Sequence, residues 1–342
     1  MKEDTLLIAG PCSAESREQV LATAEGLARR KVDYFRAGIW KPRTQPGSFE
    51  GVGKTGLPWL QEVKAQYGLK TCIEVADEVH VTEALKAGID VLWIGARTSS
   101  NPFQVQRLAD CLAGTDIPIA VKNPMNPDLS LWTGAIERLS RSGISNLMAI
   151  HRGFAVYGQN HYRNAPLWQI PIDFRNAHPE IPLINDPSHI CGRRDILAEV
   201  AQMAMDLAFD GLMIETHPDP DSAWTDAAQQ VTPDALHALL DGLVIREEGS
   251  TYDALDSLRQ EINMVDEAII ELFARRMGIS GRIGEEKKRR GMTILQNTRW
   301  RNLLEKNLER GREQGVDEDF LSEVYRAIHQ ASIRIQKEVM KK

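Results

Sequence analysis

A chain of 342 residues, 42% of them hydrophobic, can bury one large core and a smaller one, which makes two domains the default. The net charge of −7 is shared unevenly: residues 251–342 hold 18 basic against 16 acidic side chains and the remainder 23 against 32, so no basic stripe offers nucleic acid a footprint. No apolar run of about 18 residues exists, the N-terminus has no signal-peptide pattern and the four cysteines are scattered, which excludes a membrane span and a disulfide framework and predicts a cytoplasmic protein with reduced thiols.

Short apolar runs alternate with amphipathic stretches through the first part of the chain. Strands are predicted at Leu6 to Ala9, Val32 to Arg36, Thr71 to Val75, Val91 to Ile94, Ile117 to Val121, Asn146 to Ile150, Leu183 to Ile184 and Gly211 to Ile214. Eight strand–helix repeats over about 245 residues fit a (β/α)8 barrel of the TIM type. An open doubly wound sheet is the alternative, but the first turn, Gly10-Pro11-Cys12-Ser13, is not a dinucleotide fingerprint. Gly192-Arg193-Arg194-Asp195 reads as a helix start. The segment Phe154 to Ile170, with Tyr157, His161, Tyr162 and Trp168, carries no assignable role.

Beyond Leu243 the strand signals stop. Residues 246–252 read as a polar linker between a barrel domain, 1–245, and an all-α domain, 253–342. Leu255, Leu258, Ile262, Val265, Ile269 and Leu272 recur at spacings of 3 and 4, predicting a long amphipathic helix to about Arg290. Two further helices are expected at about Asn297 to Gln314 and Asp317 to Lys341, giving a three-helix module.

The chemistry sits where strands stop, as expected of a parallel barrel, whose loops vary on fixed strand bases. The first strand leads to Cys12, the second to Arg36 and Lys41-Pro42-Arg43-Thr44, the fourth to Arg97, the fifth to Lys122 and the sixth to His151-Arg152. The seventh leads to Asp186 and His189, the eighth to Glu215 and a loop with Asp226. A lone cysteine is usually a small hydrophobe and a lone Arg usually surface. Their joint placement at one mouth favours function. Six converging cations imply ligands of high negative charge, phosphorylated or carboxylated. Cys12, His189, Glu215 and Asp226 form a thiolate, imidazole and carboxylate set that suits a borderline divalent ion, Mn or else Fe, Co or Zn, over Mg or Ca.

Gly10-Pro11-Cys12-Ser13, Phe35-Arg36-Ala37-Gly38, Lys41-Pro42-Arg43-Thr44, Ile94-Gly95-Ala96-Arg97, Asp186-Pro187-Ser188-His189 and Glu215-Thr216-His217-Pro218 together resemble the type Iβ 3-deoxy-D-arabino-heptulosonate 7-phosphate (DAHP) synthases. The resemblance implies a barrel that condenses phosphoenolpyruvate with erythrose 4-phosphate, the first step of the shikimate pathway. It implies Cys12, His189, Glu215 and Asp226 as metal ligands, and Arg36, Lys41, Arg97, Lys122 and Arg152 as phosphoenolpyruvate contacts, with Lys41 delivering a proton. Arg43, Thr44 and Asp186 fall on the erythrose 4-phosphate side. The rival, 3-deoxy-octulosonate 8-phosphate synthase, carries Lys-Ala-Asn-Arg-Ser-Ser where this chain has Lys41-Pro42-Arg43-Thr44. The barrel begins almost at Met1, so regulation is expected from elsewhere in the chain.

The helical part resembles the all-helical (AroQ-type) chorismate mutases through Leu258-Arg259-Gln260-Glu261-Ile262, Ala274-Arg275-Arg276, Gly284, Lys287, Arg299, Ser332 and Gln336. This implies that Arg259 and Arg276 hold the substrate carboxylates, that Lys287 and Gln336 flank the ether oxygen, and that Arg299 and Ser332 complete the pocket. Gln296 and Trp300 stand where the family has acidic residues. Arg259 and Lys287 lie 28 residues apart on one predicted helix, about 42 Å at 1.5 Å per residue. One small ligand cannot touch both on one chain, so a homodimer, or a tetramer built from it, is expected. A catalytically inert dimerisation and feedback module is the alternative for this part.

Overall fold

The computed structural model describes residues 5–42, 47–158, 161–246 and 253–341. Eight parallel strands, β1 (Leu6–Gly10), β2 (Tyr34–Arg36), β3 (Thr71–Val75), β4 (Val91–Ile94), β5 (Ile119–Lys122), β6 (Leu147–His151), β7 (Leu183–Asn185) and β8 (Gly211–Glu215), pair in sequence order. They close through β8 onto β1, from Leu6 opposite Gly211 to Gly10 opposite Glu215. The observed fold is therefore the (β/α)8 barrel.

Ten α-helices belong to this unit among the described residues: α1 (Arg17–Leu27), α2 (Leu57–Tyr67), α3 (Glu78–Lys86), α4 (Ala96–Ser99), α5 (Pro102–Leu112), α6 (Leu129–Arg141), α7 (Gln169–Ala177), α8 (Pro187–Cys191), α9 (Leu197–Asp206) and α10 (Pro233–Gly242). Their starts are local chemistry. Asn101 caps α5 by accepting from the backbone N–H of Phe103 and Gln104, with Pro102 at the first helical position where its missing N–H costs nothing. Apolar faces then pack on the barrel: Trp132 of α6 stacks on Phe174 of α7 at 4.4 Å between ring centroids and donates its Nε1–H to the Val121 carbonyl.

One expected boundary is wrong. Gly192 does not begin a helix; it ends the short α8 at φ 67°, a left-handed conformation that glycine adopts without a Cβ clash. The next helix begins only at Leu197.

The chain divides into two compact units, residues 1–248 and 249–342. The second comprises α11 (Asp253–Arg289), α12 (Asn297–Glu313) and α13 (Glu318–Lys341). Helices α11 and α13 lie side by side, close enough at Gly284 that a Cβ there would stand 3.1 Å from Gln336 Cα. The first part of α11 is less well covered: Leu258, Ile262 and Val265 are 56%, 61% and 57% exposed.

Candidate active sites

Side chains of a strand alternate between two faces, and in a barrel one of them is the interior. Ile8, Cys72, Trp93, Ala120, Ile150, Ile184 and Met213 fill that interior, while their neighbours Leu7, Ile73, Leu92, Val121, Ala149 and Leu212 pack towards the helices. Advancing two residues from an interior position reaches Glu74, Lys122, Arg152, Asp186 and Glu215, and Arg36 follows Tyr34 in the same way. The period of two thus aims six charged side chains into one mouth. It also excludes His151, which faces outward among Phe154, Trp168 and Phe209. Its Nε2 bonds the Pro166 carbonyl at 2.7 Å and its Nδ1 meets Asn185 Nδ2 at 3.1 Å. That is the hydrogen bonding of a neutral ring, and burial pushes His151 down to about 3.

A mouth of massed cations is not what forms. Acidic side chains interleave with them: Arg36 Nη2 lies 3.0 Å from Glu215 Oε1, Lys122 Nζ 2.7 Å from Asp186 Oδ2 and Arg163 Nη1 3.0 Å from Asp226 Oδ1. Arg36–Glu215 and Lys122–Asp186 are buried on both sides, where pairing of this kind offsets the cost of taking the charges out of water. Glu74, Trp93 and Arg163 were missing from the expected set. Two donors nonetheless stay open, since Arg36 Nε and Nη1 are buried and find no acceptor among the described residues.

Cys12, Glu215 and Asp226 place ligand atoms within 4.8 Å of one another. The Cys12 thiol donates to Asp226 Oδ2 at 3.3 Å and accepts from Lys41 Nζ at 3.0 Å. Burial first, and Glu215 second, push Cys12 up to about 12. For Lys41 burial acts downward, but Cys12 and Glu215 outweigh it and hold the ammonium charged. His189, on α8, stands at the margin of the cluster with Nε2 3.8 Å from Glu215 Oε1 and Nδ1 2.8 Å from Asp186 Oδ2. The donor set fits a borderline divalent ion: soft sulfur, imidazole and carboxylate converge, and buried Glu215 Oε1, ion-paired with Arg36, accepts no aligned hydrogen bond among the described residues. A carboxylate on the far nitrogen of a ligating His fixes its tautomer.

The cluster is held from outside. Gln229 Nε2 donates to Glu215 Oε2 at 2.6 Å, Gln230 Oε1 accepts from the Cys12 backbone N–H at 3.0 Å, and Ser13 and Thr225 hydroxyls meet at 2.6 Å. Asp226 itself sits in the left-handed region at φ 51° and ψ 36°, which Asp tolerates better than most residues. Gly38 leaves room for this arrangement; a Cβ there would stand 2.3 Å from the Cys12 carbonyl oxygen and 2.8 Å from Lys41 Cδ.

Arg152 donates from Nη1 to Asn164 Oδ1 at 2.7 Å, and burial brings its guanidinium down to about 10. Arg97, on α4, is exposed and close enough to Arg152 to add to that shift. The segment Phe154 to Ile170 therefore supplies Arg163 and Asn164 to the site, a contribution its lack of periodicity concealed. Asp186, expected on the aldehyde side, is fully buried and its carboxylate is engaged by Lys122 and His189. Arg43 and Thr44 lie outside the described residues.

In the helical unit Arg276 Nη1 donates to Ser332 Oγ at 2.8 Å, and Ser280, unexpected from sequence, joins Ser332 at 3.1 Å between hydroxyl oxygens. Gln336 is buried beside them with Oε1 unpartnered among the described residues, and Lys287 donates to the Ile294 carbonyl. Burial lowers both Arg276 and Lys287. Arg259 pairs with Asp256 on the exposed face of α11, and Arg299 and Gln296 are exposed. Trp300 stacks on His329 at 3.9 Å between centroids. Arg276, Ser332 and Gln336 thus share the α11–α13 seam; Arg259 does not.

Residues 2–246 match the family model described as DAHP synthetase I family, and residues 258–337 match chorismate mutase type II. The phospho-2-dehydro-3-deoxyheptonate aldolase of Thermotoga maritima is 30% identical over 225 residues, covering 66% of this chain and 64% of its own length. A 2-dehydro-3-deoxyphosphooctonate aldolase of Caulobacter vibrioides is 28% identical over 270 residues, covering 74% and 89%. Among solved structures, the Thermotoga maritima DAHP synthase superposes with a TM-score of 0.63 at 28% identity, covering 70% of this chain and 68% of that one. No helix among the described residues is long and apolar enough to cross a membrane.

Proposed function

Because the chain belongs to the DAHP synthetase I family and carries a chorismate mutase type II domain behind the barrel, we propose a bifunctional enzyme that condenses phosphoenolpyruvate with erythrose 4-phosphate and converts chorismate to prephenate. The observation that carries the first activity is the barrel mouth, where open Arg36 donors face the same interior as the Cys12, Glu215 and Asp226 cluster. Arg36, Lys41, Lys122, Arg152 and Arg97 would bind the phosphate and carboxylate of phosphoenolpyruvate, guanidinium groups doing so bidentately. Cys12, His189, Glu215 and Asp226 would hold a divalent ion, Mn by preference, with Fe, Co or Zn as substitutes. When bound, such an ion polarises a carbonyl such as that of the aldehyde. Lys41, held charged beside Cys12, would keep a proton at the reacting end, and Asp186 would orient His189 and Lys122. Arg43 and Thr44 would receive the erythrose 4-phosphate.

For the second activity, Arg276, Lys287, Ser332 and Gln336 would form a polar pocket around chorismate, with Gln296 and Arg299 at its edge. A unimolecular rearrangement needs only electrostatics and a held conformation. Arg259, 17 residues before Arg276 on α11 or about 26 Å, would be supplied to that pocket by a second chain. The exposed Leu258, Ile262 and Val265 on the same stretch would be covered in that homodimer, from which a tetramer could be built. Free thiols on all four cysteines suit a cytoplasmic setting.

Two assays on one preparation test the proposal. Phosphoenolpyruvate consumption should require erythrose 4-phosphate and run at least tenfold slower with arabinose 5-phosphate, and chorismate should be consumed by the same protein. Equal turnover of the two aldose phosphates would instead make the barrel an octulosonate-type synthase.

A further inference from the structure

The geometry points to Trp93 as a positioning residue of the anion site, its indole face serving as the floor on which Arg36 and Lys122 are held. This deepens the proposed phosphoenolpyruvate reading and rests on it. Trp93 occupies the interior position of β4, opposite Glu74 on β3 and Ala120 on β5, and is fully buried. Arg36 Cζ lies 5.0 Å from the ring centroid and Lys122 Nζ 5.8 Å, both within cation–π range. Two cations from different strands thus share one aromatic surface.

A buried guanidinium needs counter-charge or another source of attraction. Had a second carboxylate supplied it, that group would have accepted the N–H donors that an anionic substrate requires. An aromatic face attracts the cation through its quadrupole and consumes no hydrogen bond. Arg36 shows this division: Nη2 is committed to Glu215, while Nε and Nη1 keep their protons unshared. Lys122 is arranged similarly, paired once with Asp186 and otherwise set over the indole.

Simple space-filling does not account for the residue. Most other fillers of the interior, among them Ile8, Ala120, Ile150, Ile184 and Met213, carry no polar atom that requires a partner. Trp93 brings an Nε1–H that is sealed from solvent and finds no acceptor among the described residues, a penalty an aliphatic side chain would avoid. A local penalty retained beside a charged site indicates a compensating role there.

The test uses the full-length chain with Trp93→Phe and Trp93→Leu, measuring phosphoenolpyruvate binding by titration calorimetry without aldose, steady-state KM and kcat, and thermal melting. Trp93→Phe, which keeps an aromatic face, should bind phosphoenolpyruvate within about threefold of wild type. Trp93→Leu should weaken binding and raise KM about tenfold, with kcat falling less than threefold. Both variants should melt below wild type by similar amounts, since both leave space in the interior. Trp93→Leu binding as well as Trp93→Phe, or losses of affinity that simply follow the melting temperatures, would overturn the proposal. If wild type itself gives no binding signal, the failure lies with the phosphoenolpyruvate reading and the inference falls with it.

Discussion

Under the proposed function the barrel and the helical unit would solve the same problem, gathering cations round an anionic substrate, by opposite means. In the barrel, eight strand ends converge on one mouth, so a single chain delivers Arg36, Lys122, Arg152, Asp186 and Glu215 together and buries each below 10% exposure. A long helix spreads its residues along an axis, so α11 brings Arg276 to the α13 seam and leaves Arg259 about 26 Å away beside an uncovered apolar stripe. Closed topology would complete a site within one chain; on the proposed reading the long helix would complete its own by borrowing from a second chain.

The barrel side of the contrast breaks most severely at its carboxylates. Glu215→Ala should abolish condensation and leave Arg36 as a buried charge without the carboxylate it pairs with, costing about 3–5 kcal/mol of stability. Cys12→Ala should also be inactive and unrescued by added Mn, yet lose less stability than Glu215→Ala, since Lys41 Nζ keeps the backbone carbonyl of residue 12 as an acceptor at 2.8 Å. Chelation should silence the wild-type barrel and leave chorismate consumption untouched; a metal-stripped protein with full condensation activity would end the ligand assignment.

On the helical side, Arg276→Ala and Lys287→Ala should each remove about 3–4 kcal/mol of transition-state stabilisation, a 10²- to 10³-fold fall in kcat/KM for chorismate with condensation unaffected. Wild-type rates in both variants would show that the seam is not the mutase site. The borrowing itself has a sharper signature. Arg259→Ala and Arg276→Ala chains, each inactive alone, should regain about a quarter of wild-type activity when unfolded together and refolded at equal ratio, because half the dimers are mixed and each mixed dimer holds one intact site. A mixture as inactive as its components would mean that Arg259 and Arg276 serve the same chain.

What the sequence reveals follows this division. Strand ends were legible because alternation needs only two neighbours to be read, and the three helices because a spacing of 3 and 4 persists over many turns. Trp93 was hidden in the apolar run Val91 to Ile94, where an indole looks like any filler. Glu74 could have been found, as the only charge in Thr71–Val75 and in phase with Cys72. Arg163 and Asn164 could not, since their segment has no period and reaches the site through tertiary contacts. His151 was misread as a mouth residue because it adjoins Arg152; in a strand, adjacent residues face opposite ways.

That outward histidine supplies the gentlest test of how differently the two units are built. His151 is neutral in the folded barrel, pushed down to about 3 by burial, whereas an unfolded histidine titrates near 6.5. Between those values the unfolded chain binds the extra proton, so stability is fully present above about pH 6.5 and falls as pH drops, by about 1.4 kcal/mol per unit. Asp186 and Glu215, whose carboxylates His189 and their basic partners hold below the usual range against the opposing effect of burial, add in the same direction only below about pH 4. Urea unfolding of the barrel should therefore lose stability between pH 6.5 and 5, His151 contributing about 2 kcal/mol of it, with His80, His189 and His237, which burial also shifts down, acting in the same direction. His151→Gln should be less stable at pH 7, having lost the Pro166 and Asn185 contacts in part, yet lose about 2 kcal/mol less than wild type across that window. In the helical unit His329 is also shifted down by burial, but it is only partly enclosed, so its transition should depend on pH more weakly. If wild type and His151→Gln lose stability in parallel from pH 6.5 to 5, the acid sensitivity of the barrel resides in some other group.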